Sequence, residues 1–326
     1  MDASQGNGLD LVGFLMAPSF RMTEAAGTAA RRIRFIVNPR SGHVMRKPEV
    51  IARIRRLIDK HHLDAEITPT ARPRHAGELA RRAVDDGCSL VVAVGGDGTM
   101  NEVAAALRDT PAVLGLLPCG SGNGLGRHLG IRAADDQAFD TLLHGRIRTI
   151  DSGTVNELPF FNTMGLGFDV EIARRFNHLS RRGLPAYVAT TLLAWREYSP
   201  DQYVIQWDSG RTETAAFLVS IANSDQYGND CFIAPGATVD DGCLDLTVLR
   251  RVHLLNAAPL TLQLFLRALQ EGADILRARG RSFTIERRTP GLIHTDGEIH
   301  QAPAVLDVRV HAHSLRVLVP QPAPVI

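Results

Sequence analysis

Four carboxylates sit where this sequence could do chemistry. They are Asp97 in VVAVGGDGTMNEVAAAL, Asp241 in VDDGCL, and Asp296 and Glu298 in HTDGEI. Asp97 follows a continuous apolar run, residues 91–94, and is enclosed by Gly95, Gly96 and Gly98. Glycines let a bulky ligand approach the backbone, and a helix N-terminus favours anionic groups. An acidic group beside a phosphate calls for a cation between them, because carboxylate and phosphate repel. Asp97 is thus a candidate metal holder at a polyphosphate site, and a plain structural turn is the rival reading of the same residues. Thr99 and Glu102 have capping-box spacing, which predicts a helix with Thr99 at its N-cap. Asp296-Gly297-Glu298 puts two carboxylates in a tight turn; a simple hairpin turn is the plainer reading. Asp240-Asp241-Gly242 is also a turn signal.

The elements around these residues read as alternating strands and helices. Strands are expected at 34–37, 63–68, 91–94 and 113–117, and helices at 48–61, 75–86 and after Gly98. That alternation predicts a parallel α/β sheet. Three strand ends carry loops rich in Gly, Asn, Ser or Thr: 38–42, 95–99 and 118–123. In an open parallel sheet such ends share one side, where ligands bind. There is no G-x-x-x-x-G-K-[ST] and no G-x-G-x-x-G after the first strand. Phosphates are then expected on backbone N–H groups, on Ser41, Thr99 and Ser121, and on a metal near Asp97. After about residue 150 the pattern becomes β-rich. Strands are expected at 160–163, 203–207, 215–222, 244–249, 282–286, 305–310 and 315–319, with helical inserts near 170–198 and 254–279.

The chain has 326 residues, enough for two domains, with 44% hydrophobic and 22% charged residues. A net charge of +1 gives no global nucleic-acid signal. Four scattered cysteines without CxxC spacing suggest a reduced, cytosolic protein. No apolar run reaches bilayer-spanning length. Residues 1–30 read as a disordered arm.

NPRSG, GGDGTMNEV, PCGSGN, FNTMGLGFDVEIARR, APGATVDDGCLDL and HTDGEI occur in this order. Together they resemble the catalytic family of diacylglycerol kinases, which includes bacterial lipid kinases and the sphingosine and ceramide kinases. GGDGT alone also resembles NAD kinases. The third loop, GSGNGLGRHLG, is closer to the sphingosine kinase form than to the usual bacterial one. The resemblance implies an α/β nucleotide-binding domain (31–149), a β-sandwich lipid-substrate domain (150–313) and a last strand (314–326) returning to the first. It implies ATP and Mg²⁺ as cofactors. Asn38, Pro39, Ser41, Gly42, Thr70, Thr99, Glu102, Gly120, Ser121 and Asn123 would form the nucleotide site, with Gly95, Gly96 and Gly98 admitting the triphosphate. Asp97 would hold Mg²⁺, directly or through water. Glu298, supported by Asp296, would be the general base, with Asp97 its rival. Asp241 would ligate a structural divalent ion together with the carbonyls of Thr238 and Cys243.

The expected function is an ATP-dependent lipid kinase at the inner face of the membrane. Its expected partner is a lipid substrate, with peripheral membrane contact and no nucleic acid; a homodimer is left open. RRFNHLSRRGLPAYVATTLLAWREY mixes arginines with an apolar run and is a candidate for membrane docking or plain packing. A soluble NAD kinase and a catalytically silent lipid- or nucleotide-binding protein are the rivals.

Overall fold

The computed structural model describes residues 32–41, 49–177, 198–228, 230–252 and 254–322. The N-terminal arm, Gly42 and residues 178–197 of the arginine-rich stretch lie outside the described residues.

In the first half, β1 (Ile33–Val37), β3 (Leu90–Gly95) and β4 (Val113–Pro118) are buried along their whole length. Continuous apolar runs of this kind suit parallel strands covered on both faces. β2 (Ala65–Pro69) is the half-exposed edge. Helices α1 (Glu49–His61), α2 (His75–Asp85) and α3 (Asp97–Leu107) connect them. The strand order is β2-β1-β3-β4, all parallel. The chain leaves β1 for β2 on one side and returns to β3 on the other. The order therefore reverses at β1 and β3, and their carboxyl ends open a crevice. A third loop after β4 leads into the short α4 (Gly124–His128) and then α5 (Asp136–His144).

The second half is a β-sandwich. One layer holds β5 (Arg146–Val155), β6 (Leu158–Phe160), β8 (Asp201–Trp207), β9 (Gly210–Ala216), β13 (Ser282–Arg287) and the start of β16 (Val305–Val319). The other holds β7 (Thr163–Gly167), β10 (Leu218–Ala222), β11 (Leu244–Leu249), β12 (Ile275–Gly280), β14 (Gly291–Thr295) and β15 (Glu298–Ala302). Phe160, Met164, Ile205, Ile221, Leu246, Phe283 and Leu306 meet between the layers. Helices α6 (Phe168–Asn177) and α7 (Leu254–Phe265) flank a smaller cluster around Phe217, Leu218 and Ile233.

β16 belongs to both halves. Its first part pairs with β13, its last part runs parallel to β4 at Arg316 and Val317, and β5 follows it antiparallel from Val308 to Val319. The runs at 305–310 and 315–319 are thus one strand with an irregularity between His311 and Leu315. Other expectations also shift. The run at 215–222 breaks at Phe217 into β9 and β10, which lie in opposite sheets. The helix expected over 254–279 stops at Phe265, and the residues beyond Leu269 turn into β12, whose Leu276 and Ala278 pack on the sandwich core.

Candidate active site

The crevice at the switch point holds a cleft of about 260 Å³. Asn38 and Arg40 after β1, Thr70 to Pro73 after β2, and Gly98, Thr99 and Glu102 of α3 line it. Glu298 reaches in from the sandwich. Of the expected nucleotide residues, Asn38, Thr70, Gly98, Thr99 and Glu102 thus face one space. Asn38 donates its amide N–H to Thr99 Oγ1 (3.0 Å), and Ser41 donates its hydroxyl to the Cys119 carbonyl (3.0 Å). These two bonds lock the first loop onto the second and third. Pro39 and Ser121 are exposed outside the cleft lining.

The helix start differs from the capping-box expectation. α3 begins at Asp97, with Gly96 as its N-cap and no side-chain cap. Thr99 is spoken for by Asn38. Glu102 serves a neighbouring helix instead: its carboxylate accepts the N–H groups of Arg74 (3.0 Å), Ala76 (2.9 Å) and Gly77 (3.3 Å) at the start of α2. A helix N-terminus leaves N–H groups without partners, and here the adjacent helix supplies one. Gly77 makes this approach feasible, since a Cβ there would lie 3.2 Å from the Glu102 carbonyl oxygen.

Asp97 is a clamp. Its Oδ2 accepts the Asn123 N–H and its Oδ1 the Gly124 N–H, both at 2.9 Å. Burial pushes its carboxyl up from the usual range, and these two N–H groups oppose the push. It is absent from the cleft lining. Its two oxygens fasten the third loop beside the cleft. The glycines follow the same logic. A Cβ on Gly120 would sit 2.7 Å from Gly96 Cα, and one on Gly95 would sit 2.5 Å from Thr99 Oγ1. These glycines let the loops close on one another. Asn123, in the left-handed region at φ 54°, accepts the Gly120 N–H and so completes the third loop.

Asp296 and Gly297 form a two-residue turn between β14 and β15, with φ 49° and 84°. The plain hairpin reading is right, and the hairpin is what delivers Glu298. Asp296 does not face the substrate space. It accepts N–H groups from Phe161, Asn162 and Thr163 (2.9 Å each) and from the Asn101 side chain (2.7 Å). Two donors on each oxygen saturate its lone pairs. Burial pushes its carboxyl up to about 6 against the pull of the backbone donors. Its support of Glu298 is positional: it latches the turn to α3 and to the β6–β7 segment. Glu298 is exposed at the cleft rim, with Oε1 3.3 Å from where a Cβ of Gly98 would be. Loss of hydration raises its carboxyl above the usual range, the Glu102 charge adds to this, and Arg74 opposes it.

Asp241, the expected side-chain ligand of a structural ion, stands in a polar network. Its carboxylate is paired with Arg279, accepts the Thr238 hydroxyl, and accepts the Cys243 N–H (3.0 Å). Among the described residues no group of three or more His, Cys, Asp or Glu side chains could hold a metal ion.

Several residues escaped the sequence reading. Arg40 and Arg72 bring positive charge to the cleft, and no lysine is among its described lining residues. Asn101 holds Asp296. His294 is buried against Asp169 (Nε2–Oδ2 3.0 Å), and Tyr227 donates to that same oxygen (2.7 Å). Burial works against a charge on His294, but the Asp169 carboxylate holds its proton affinity above the ordinary value. Arg40, Asn101, Asp169 and His294 sit inside the quoted motifs, but their partners are set only by the fold.

Residues 32–155 match the model of the diacylglycerol kinase catalytic domain, and residues 162–319 match that of the YegS C-terminal NAD kinase beta sandwich-like domain. A "probable lipid kinase YegS-like" of Pseudomonas fluorescens is 31% identical over 272 residues, covering 81% of this chain and 88% of that one. The chain belongs to the diacylglycerol kinase catalytic family. A diacylglycerol kinase of Bacillus subtilis is 31% identical over 231 residues, covering 69% of this chain and 75% of that one. A crystal structure of a diacylglycerol kinase from Bacillus anthracis shares the fold, with a TM-score of 0.66 and 19% identity over 90% of this chain and 98% of that one. This member of the lipid kinase family is accordingly an α/β parallel-sheet domain followed by a β-sandwich, and it is a kinase. Among the described residues no helix is long and apolar enough to cross a membrane.

Proposed function

We propose that this lipid kinase transfers the γ-phosphoryl group of ATP to a hydroxyl of a membrane lipid, either diacylglycerol or a sphingoid lipid such as sphingosine or ceramide. The observation that carries the reading is Glu298. A carboxylate from the lipid-side domain, with raised proton affinity, stands over the N-terminus of α3 in a cleft that also holds Arg40 and Arg72. The first turn of α3 and the two arginines favour a polyphosphate. The acceptor hydroxyl enters from the sandwich side. Glu298 takes its proton as the oxygen attacks the γ-phosphorus in line; the bond to the bridging oxygen breaks and ADP leaves. Mg²⁺ would arrive on the nucleotide, since such ions bind largely through phosphates and water. The lipid acceptor places the protein at the inner face of the membrane as a peripheral enzyme.

The test is transfer of labelled γ-phosphate from ATP, with Mg²⁺, in mixed micelles. The acceptors are diacylglycerol, monoacylglycerol, sphingosine, ceramide and phosphatidylglycerol, with NAD as the soluble control. Label in one lipid supports the reading and names the acceptor; label in NAD alone overturns it.

A further inference from the structure

Helix α7 lies on the surface, yet it contains no charged residue in LLNAAPLTLQLF. Its inner side carries Leu260 and Leu264, which pack against the cluster around Phe217 and Ile233. Its outer side carries Pro259 and Leu262 beside the exposed Thr261, and Leu266 continues that side one residue past the helix end, at spacings of three and four. Leu262 is 59% and Leu266 64% exposed, two of the three large hydrophobic residues left open among the described residues. A surface helix normally keeps a polar face toward water, and one that bares large apolar side chains calls for a cover.

The charges around it identify the cover. Arg250 and Arg251 precede the helix and Arg267 follows it, against the acidic Glu271 and Asp274. Arg267 lies over the Phe232 ring at 4.0 Å and pairs with Asp225 at 3.3 Å. An apolar stripe bracketed by arginines is complementary to a bilayer with anionic headgroups. The same corner leads to the third loop. Asp225 binds His128 of α4 at 2.7 Å, and Arg127 of α4 reaches Asp230 at 3.4 Å.

We propose that the outer face of α7, through Leu262 and Leu266 with Arg267 at its end, docks this kinase on an anionic lipid bilayer. This rests on the reading that its acceptor is a membrane lipid.

The test is co-sedimentation of the full chain with vesicles of phosphatidylcholine, with and without phosphatidylglycerol. Wild type is expected to bind the anionic vesicles more tightly. Leu262→Glu/Leu266→Glu is expected to lower that binding by at least ~10-fold, as loss of two buried leucines implies. Arg267→Gln is expected to lower the preference for anionic vesicles. A thermal melt and transfer to a short-chain, water-soluble acceptor, both unchanged, would show the leucine variants to be folded and active. Leu262→Gln/Leu266→Gln serves as the milder pair if the glutamates perturb folding. Wild-type vesicle binding retained in the folded variants overturns the proposal, as does failure of wild type to bind. A wild-type dimer that the variants split without loss of vesicle binding assigns the face to a second copy, and also overturns it. Binding without phosphorylation of any lipid would leave the docking intact and sink the kinase reading instead.

Discussion

Glu298 and Asp296 are two residues apart and have opposite tasks. Glu298→Gln removes the proton acceptor, and transfer is expected to fall by ~10²–10⁴-fold in steady-state assays. The same change should stabilise the protein at neutral pH. Glu298 has a folded-state affinity for its proton above the usual carboxyl value, so the folded protein carries a penalty once the group ionises. That penalty is complete above the raised folded value and absent below the unfolded one. Melts of wild type and Glu298→Gln should therefore differ at pH 7.5, with the variant higher, and converge near pH 4. Asp296→Ala behaves in the opposite way. It leaves three backbone N–H groups and the Asn101 amide without an acceptor, at about 1–3 kcal/mol each. Urea denaturation should show a loss of at least about 3 kcal/mol, and activity should fall with the fold rather than ahead of it.

At the scale of elements, Glu102 joins α2 to α3, and the glycines join the three loops. Glu102→Ala should cost about 1–3 kcal/mol in urea, because the first turn of α2 loses its acceptor. Gly98→Ala is the sharper probe. Its Cβ would meet nothing closer than Glu298 Oε1, so turnover should drop while the melting temperature holds. The strands, the alternation and the three loops were legible in the sequence, because buried parallel strands and glycine-rich ends leave local patterns. The partners of the acidic residues were not. Asp97 reads as a metal holder, Glu102 as half of a capping box and Asp241 as an ion ligand. Each accepts donors that the fold brings in: Asn123 for Asp97, Arg74 for Glu102, Arg279 for Asp241. Residue type and spacing show that a carboxylate needs partners, and only packing decides which ones arrive. The β9–β10 break was hidden for a related reason: an apolar run looks the same whether it stays in one sheet or crosses between two.

For the whole molecule, β16 is the tie. It lies in the sandwich through β13 and in the parallel sheet through β4, and its last residues, Leu315, Val317 and Leu318, are in the first core. The two halves should therefore unfold together, in one transition reported alike by far-ultraviolet dichroism and by tryptophan fluorescence; two separated transitions would refute the shared-strand account. A stop after Val310 should unfold both halves. The shared strand also keeps the Glu298 hairpin in register with α3, and that register is the centre of the account. The most direct measurement is the single-turnover rate of labelled γ-phosphate transfer to the accepted lipid by wild type and Glu298→Gln, with both proteins shown to melt normally. The account predicts label in the lipid with wild type and a loss of at least ~100-fold in the folded variant. A variant that transfers as fast as wild type would contradict it.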